Sequence, residues 1–184
     1  MIGSSCVVRT ATQDETEACI DLWVSAVATR DGVPESEAVR SRAQGKFAAE
    51  RVALVVAEEP TGSADAGRTG ALVGFGLVTA PGSGMPEDPD DAAYLSLLAV
   101  HPRAQGRGLG RTLLRAAVEE AARAGYARSL LHALEDNAPA LGLYRSAGFA
   151  PVGAVFPHAL NGRPTRAWVS GPAGERAGSR SDRT

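Results

Sequence analysis

The stretch LLAVHPRAQGRGLGRTLLRAA, residues 97–117, joins an apolar run to a helix-like pattern through three glycines at alternate positions, Gly106, Gly108 and Gly110. Glycine loses more chain entropy on folding than any other residue. At this density it marks a place where the backbone turns left-handed or lets another group approach closely. The first turn of a helix has unpaired N–H groups and a partial positive charge, which together bind phosphate. Arg103, Arg107 and Arg111 add charge beside the turn. The combination predicts an anion site, although a tight left-handed turn that holds nothing would use glycine in the same way.

Spacing narrows the anion. A dinucleotide fingerprint G-x-G-x-x-G starting at Gly106 or Gly108 meets Arg111 or Leu113 where its third glycine belongs. A P-loop requires a Gly-Lys pair, and this turn has none.

The rest of the chain reads as alternating strands and helices. Residues 6–11 form a short strand. Thr12 and Glu15 make a capping box for a helix carrying Ile20, Trp23, Val24 and Val27 to about Thr29. A second helix covers 35–50, and strands cover 51–59, 71–81 and 92–100, with loops at 60–70 and 82–91. A helix at 108–125 buries Leu109, Leu113, Leu114, Ala117 and Ala121. A strand at 127–135 leads to a helix at 138–147, capped by Asn137 and closed by Gly148. Strands 149–160 and 163–171 flank Asn161-Gly162, the strongest short hairpin signal. The order β-α-α-β-β-β-α-β-α-β-β implies an α/β (α+β) fold on a mixed, largely antiparallel sheet. One domain spans 1–171, and 172–184, without a large apolar residue, reads as a disordered tail.

At 44% hydrophobic residues the 184-residue chain is globular, and a formal net charge of -2 argues against nucleic acid as a partner. No apolar run is long enough for a membrane span, and no leader is visible, so a cytoplasmic protein is expected. Two cysteines, Cys6 and Cys19, form no metal spacing or disulfide framework and read as structural thiols. The histidines, 101, 132 and 158, are dispersed, and no metal is expected. His101 reads as structural, His132 as a satisfied core group, and His158 as a residue of the late hairpin.

The turn does match Q-x-x-G-x-G, at Gln105, Gly108 and Gly110. With LLAVHP before it and RTLL after it, it resembles the acetyl-CoA signature of the general N-acetyltransferase (GNAT) superfamily. A second stretch agrees: Asn137, Ala140, Leu143, Tyr144, Gly148 and Phe149 fall in step with that family's N-x-x-A-x-x-L-Y-x-x-x-G-F motif. The resemblance implies a sheet of about seven strands and about four helices, splayed at two central parallel strands. It implies acetyl-CoA as cosubstrate, with the pantetheine arm entering the splay along Leu98, Ala99 and Val100. The pyrophosphate would sit on the turn formed by Gln105, Gly106, Arg107, Gly108, Leu109, Gly110, Arg111 and Thr112. Asn137 would contact the arm, and Ala140 would be small for steric reasons.

By the same resemblance, Tyr144 donates a proton or hydrogen bond to the departing thiolate and the Leu98 N–H stabilises the oxyanion. The family often places a carboxylate base on the strand before the turn. By alternation Tyr94, Ser96 and Leu98 share its face here, and none is acidic, so Glu135 is one candidate from elsewhere. Trp23 and Asp31 fall in the region that borders the acceptor, with Trp23 also at a core position. Glu87, Asp88, Asp90 and Asp91 form an acidic loop that either draws a cationic amine or is simply solvated. The implied enzyme acetylates a primary amine of a small molecule by direct attack. A protein or peptide N-acetyltransferase and a non-catalytic acyl-CoA-binding module stay open, as does a homodimer.

Overall fold

The computed structural model describes residues 6–60 and 70–171. The 61–69 segment and the tail at 172–184 lie outside the described residues, so the expectations for them are not taken further. The chain runs β1 (Val7–Thr10), α1 (Thr16–Asp31), α2 (Glu37–Ala48), β2 (Arg51–Glu59), β3 (Ala71–Thr79), β4 (Ala92–Val100), α3 (Leu109–Arg123), β5 (Arg128–Leu134), α4 (Ala138–Ser146), β6 (Ala150–Pro157) and β7 (Pro164–Ser170). Short 3-10 turns precede α1 and follow β4. The order of strands and helices is the one expected from the sequence, with ends trimmed by a few residues.

One seven-stranded sheet has the order β1-β2-β3-β4-β5-β7-β6. Every neighbouring pair is antiparallel except β4 and β5, which the α3 crossover makes parallel. Two apolar layers cover its faces. Leu113, Leu114, Ala117 and Ala121 of α3 pack on one face with Val55 and Leu95, and Leu141 of α4 joins them. Cys19, Ile20, Leu22 and Val24 of α1, with Ala43 of α2, cover Leu54, Val56, Phe75, Leu77, Leu97 and Ala99 on the other. Gly74 and Gly76 let α3 sit close. A Cβ on Gly74 would come within 2.7 Å of Leu113, and one on Gly76 within 3.4 Å of Ala117.

β4 pairs with β5 only at Ala92, Ala93 and Tyr94, so the two strands part beyond Tyr94. Against β3, Leu97 lies opposite Leu77 and Leu95 opposite Val78, which leaves Ser96 as an extra residue. This is a β-bulge, and it reverses the facing of everything after it. Ala93 and Leu95 face α3 before the bulge, as Leu98 and Val100 do after it. The expectation that Tyr94, Ser96 and Leu98 share a face is therefore corrected. Tyr94 turns toward α2, whose Lys46 ammonium lies 4.6 Å from its ring centroid. The Ser96 hydroxyl is tied to Thr79 at 2.6 Å.

The expected two-residue Asn-Gly hairpin is also corrected. Residues 158–163 form the connection, with the His158 N–H donating to Arg163 O and the Gly162 N–H to His158 O. Asn161 Oδ1 accepts from the Arg163 N–H, so it shapes a wider loop.

The capping box forms as read: the Thr12 N–H donates to Glu15 at 2.7 Å. Glu15 also accepts two bonds from Arg9, which reaches Glu58 of β2 as well. Hydrogen bonding from Arg9 holds the Glu15 carboxyl down at about 2. A carboxyl depressed in the folded state stabilises above its ordinary range, and that contribution is lost as pH falls through the folded value. Glu15→Gln should therefore lower stability at neutral pH by about 1 kcal/mol, or about 2–4 °C in Tm. The gap should narrow as pH falls from about 4.5 toward about 2, measured by thermal melts across that range.

Candidate active site

The parting of β4 and β5 opens a single cleft of about 1500 Å³ that runs from the glycine turn to the face of Tyr94. The His101 N–H donates to Val73 O on β3. By strand alternation, the N–H and C=O groups of Leu98 and Val100 then point away from β3, into the gap. Gln105 marks that edge, its side-chain amide donating to Val100 O at 3.1 Å.

The three glycines of the turn have two different tasks. Gly106 and Gly108 both have φ of +77°, the left-handed region, and no atom lies within 4 Å of where their Cβ would be. Gly110 is helical and gives α3 room beside Leu143 and Val100. None of the N–H groups from 106 to 110 has a backbone partner among the described residues, while those of Arg111 and Thr112 fold back on Gly108 O. The turn thus presents a run of free donors at the start of α3.

Other expected groups divide around this cleft. Leu98, Ala99, Val100, Gln105, Gly106, Gly108, Leu109, Gly110, Arg111, Asn137, Ala140 and Tyr144 all line it, whereas Arg107 and Thr112 do not. Arg107 and Arg103 turn to Glu59 at the end of β2. Asn137 caps α4 through its Oδ1, which accepts from the Ala140 N–H at 3.4 Å, leaving its amide protons for another acceptor. The Tyr144 hydroxyl has no hydrogen-bond partner among the described residues. Burial pushes its pKa up to about 12, so it remains a neutral donor at physiological pH.

The residues suggested for the acceptor side also separate. Trp23 and Asp31 line the cleft. So does Val27, which explains why α1 lacks a single apolar stripe: one side packs on the sheet and another on the cleft. Asp31 is bonded to Arg30 and to Arg163, which hold its carboxyl below the usual range. Arg163 also grips Asp136 after β5, so the β6–β7 loop is tied both to the end of α1 and to the turn between β5 and α4. His158 lines the cleft, with burial lowering its pKa. His101 accepts from the Arg103 N–H and is structural. Cys19 is fully buried, its thiol pushed up to about 12 by desolvation, as expected of a structural thiol. Glu135 lies outside the cleft and faces Arg166 at 3.3 Å, so the structure does not bring it to the site.

The four acids of the loop do not share one environment, and none of them lines the cleft. Glu87 and Asp90 are exposed, and Asp91 pairs with Arg128. Asp88 turns inward to His132, its side chain 7% exposed. The charges lining this end of the cleft are instead Arg42 and Lys46, one turn apart on α2. Burial and Arg42 lower Lys46 to about 8. Sequence reading missed both because α2 has no clean apolar stripe to orient it. Among the described residues there is no cluster of three metal-ligating side chains and no helix long and apolar enough to cross a membrane.

Residues 21–149 match the model of the Acetyltransferase (GNAT) family. A mycothiol acetyltransferase of Geodermatophilus obscurus is 33% identical over 133 residues, which are 65% of this chain and 42% of that protein. The chain thus spans about two fifths of that relative's length. Two solved structures share the fold. A putative phosphinothricin N-acetyltransferase has a TM-score of 0.67 at 20% identity, with 91% of this chain and 98% of that chain covered. A putative acetyltransferase from Salmonella typhimurium, solved with acetyl-CoA, has a TM-score of 0.65 at 20% identity, with 96% and 99% covered.

Proposed function

We propose that this chain, which belongs to the acetyltransferase (GNAT) family, transfers an acetyl group from acetyl-CoA to a primary amine of a small-molecule acceptor. The observation that carries this reading is the continuity of the cleft. One space joins the glycine turn, the parted edge of β4, the Tyr144 hydroxyl and a separate end walled by α1, α2 and the β6–β7 loop.

The residues present fit acetyl-CoA. Gly106 and Gly108 leave open room beside free N–H donors, and β4 offers Leu98 and Val100 as an unpaired strand edge for an amide-bearing arm. When bound, acetyl-CoA supplies an activated thioester acyl group. The turn and Arg111 hold the pyrophosphate, the Asn137 amide meets the arm, and the Leu98 N–H donates to the developing oxyanion. Tyr144 donates to the sulfur. A free thiol has a pKa of about 8.5, so a tyrosine held near 12 stabilises thiolate chiefly by hydrogen bonding. The Arg163–Asp31 clasp supports a compact acceptor rather than a protein chain, and Arg42 and Lys46 favour one carrying an anionic group.

Calorimetric titration should show that CoA and acetyl-CoA bind. Thiol release from acetyl-CoA should then be faster with L-leucine than with leucinamide or putrescine, and slowest with a tetrapeptide. Absence of binding at millimolar acetyl-CoA would sink the reading, and a preference for the peptide would move it to the protein-directed alternative.

A further inference from the structure

The transfer reading leaves open what removes the acceptor's proton. We infer that Tyr94, His132 and Asp88 form a proton relay that does so at the acceptor end of the cleft, an inference that rests on that reading. His132 Nδ1 lies 3.3 Å from the Tyr94 hydroxyl, and its Nε2 lies 2.9 Å from Asp88 Oδ1. The chain links the β4 bulge region, β5 and the loop before β4.

Chemistry fixes its direction. The Asp88 carboxylate only accepts, so Nε2 carries the imidazole proton and Nδ1 is left bare. Nδ1 then accepts from the Tyr94 O–H, and the Tyr94 oxygen keeps lone pairs for a donor in the cleft. The arrangement is built rather than incidental. The second oxygen of Asp88 takes the Met85 N–H at 2.6 Å. A Cβ on Gly84 would fall 2.1 Å from Asp88 Oδ2, so a side chain there would displace the carboxylate from His132. Phe156 of β6 meets the His132 ring edge-on at 5.0 Å. Tyr94, His132, Gly84 and Phe156 all line the cleft.

The charged and titratable groups facing this chain are Lys46 and Arg42 of α2, Asp88 of the loop and Tyr144 of α4. The two cations disfavour an ammonium beside them and so favour the neutral amine. Burial raises the Tyr94 pKa, so its hydroxyl passes a proton on rather than resting as phenolate.

The steps balance. An N–H bond of the acceptor ammonium breaks and its proton goes to the Tyr94 oxygen, as the former Tyr94 proton goes to Nδ1. The resulting imidazolium is held by Asp88. The neutral amine forms the N–C bond to the acyl carbon, the C–S bond breaks with its electron pair on sulfur, and the amine's next proton ends on sulfur as thiol. His132 returns its proton to water. Tyr94 is the catalytic residue, while His132 and Asp88 are positioning residues that act through it.

With three histidines in the chain, long-range ¹H–¹⁵N NMR of the acetyl-CoA complex can resolve the His132 tautomer directly. The expected result is the Nε2–H form near neutral pH, lost in Asp88→Asn. An Nδ1–H form would overturn the relay. With L-leucine, leucinamide and putrescine as probes, Tyr94→Phe and His132→Gln should each lower kcat at least tenfold. Both variants should keep acetyl-CoA affinity within twofold of the parent. Variants that bind acetyl-CoA normally and turn over at the parent rate would also overturn the relay. Lack of turnover with every probe, with acetyl-CoA bound and the Nε2–H tautomer present, would overturn the transfer reading itself and the relay's role with it.

Discussion

Tyr144→Phe should lower kcat about 100-fold while leaving acetyl-CoA affinity nearly unchanged. The hydroxyl has no protein partner to lose among the described residues, so its removal breaks no internal hydrogen bond. The ring keeps its contact with Phe149, the centroids being 6.1 Å apart. Folding stability should therefore stay within about 0.5 kcal/mol of the parent, as for substitutions that disturb no packing or buried network. The expected loss is confined to the step in which charge develops on sulfur, because only there does the hydroxyl gain a partner. A chain that merely binds acyl-CoA would show no such split, since it has no kcat to lose. Pre-steady-state thiol release on the best amine acceptor, set beside a calorimetric Kd for acetyl-CoA, separates the cases. Unchanged turnover in the phenylalanine variant would remove Tyr144 from the chemistry. Because burial holds its pKa near 12, the parent's rate should also show no alkaline fall from Tyr144 until well above pH 10.

The glycine-turn end of the cleft was far more legible than the end walled by α1 and α2, for a physical reason. A turn that needs left-handed backbone must use glycine, and a helix start needs a cap, so Gly106, Gly108, Asn137 and Gly148 carry their roles in their identity. The apolar stripe of α3 likewise follows from helical period alone. The end walled by α1 and α2 depends on facts that no residue type announces. The bulge at Ser96 exchanges the faces of β4, yet serine is an ordinary strand residue, so the alternation drawn through it put Tyr94 and Leu98 on one face that they do not share. Asp88 looked like one of four surface acids. It turns inward beside Gly84 across the loop, and its partner His132 lies 44 residues along the chain. Ile20, Trp23, Val24 and Val27 read as one helical set, but Trp23, Val24 and Val27 line the cleft while Cys19, Ile20 and Leu22 pack on the sheet, with Trp23 and Val24 touching both. The Asn161-Gly162 pair was read as a tight turn, but the Asn161 side chain instead organises a wider loop.

Gly108→Val should abolish measurable CoA binding, with at least about 100-fold loss of affinity, through two effects that a second substitution can separate. Gly108 sits at φ +77° immediately before α3, and a β-branched residue is a genuine outlier there. The backbone strain costs about 1–2 kcal/mol, which lowers Tm by several degrees in a chain this size. The new Cβ itself clashes with nothing, since no atom lies within 4 Å of it. That open space is where the proposed pyrophosphate meets the N–H groups of the turn, so the valine side chain and the phosphate would compete for it. Asparagine tolerates the left-handed conformation far better than valine does, because its short polar side chain hydrogen-bonds locally. Gly108→Asn should therefore melt near the parent temperature yet still bind CoA at least about tenfold more weakly, since its side chain occupies the same space. Calorimetric titration of both variants with CoA, beside thermal melts without ligand, decides the matter. If Gly108→Asn bound CoA as the parent does, the glycine would be serving the turn alone, and the pyrophosphate would have to lie elsewhere on the cleft.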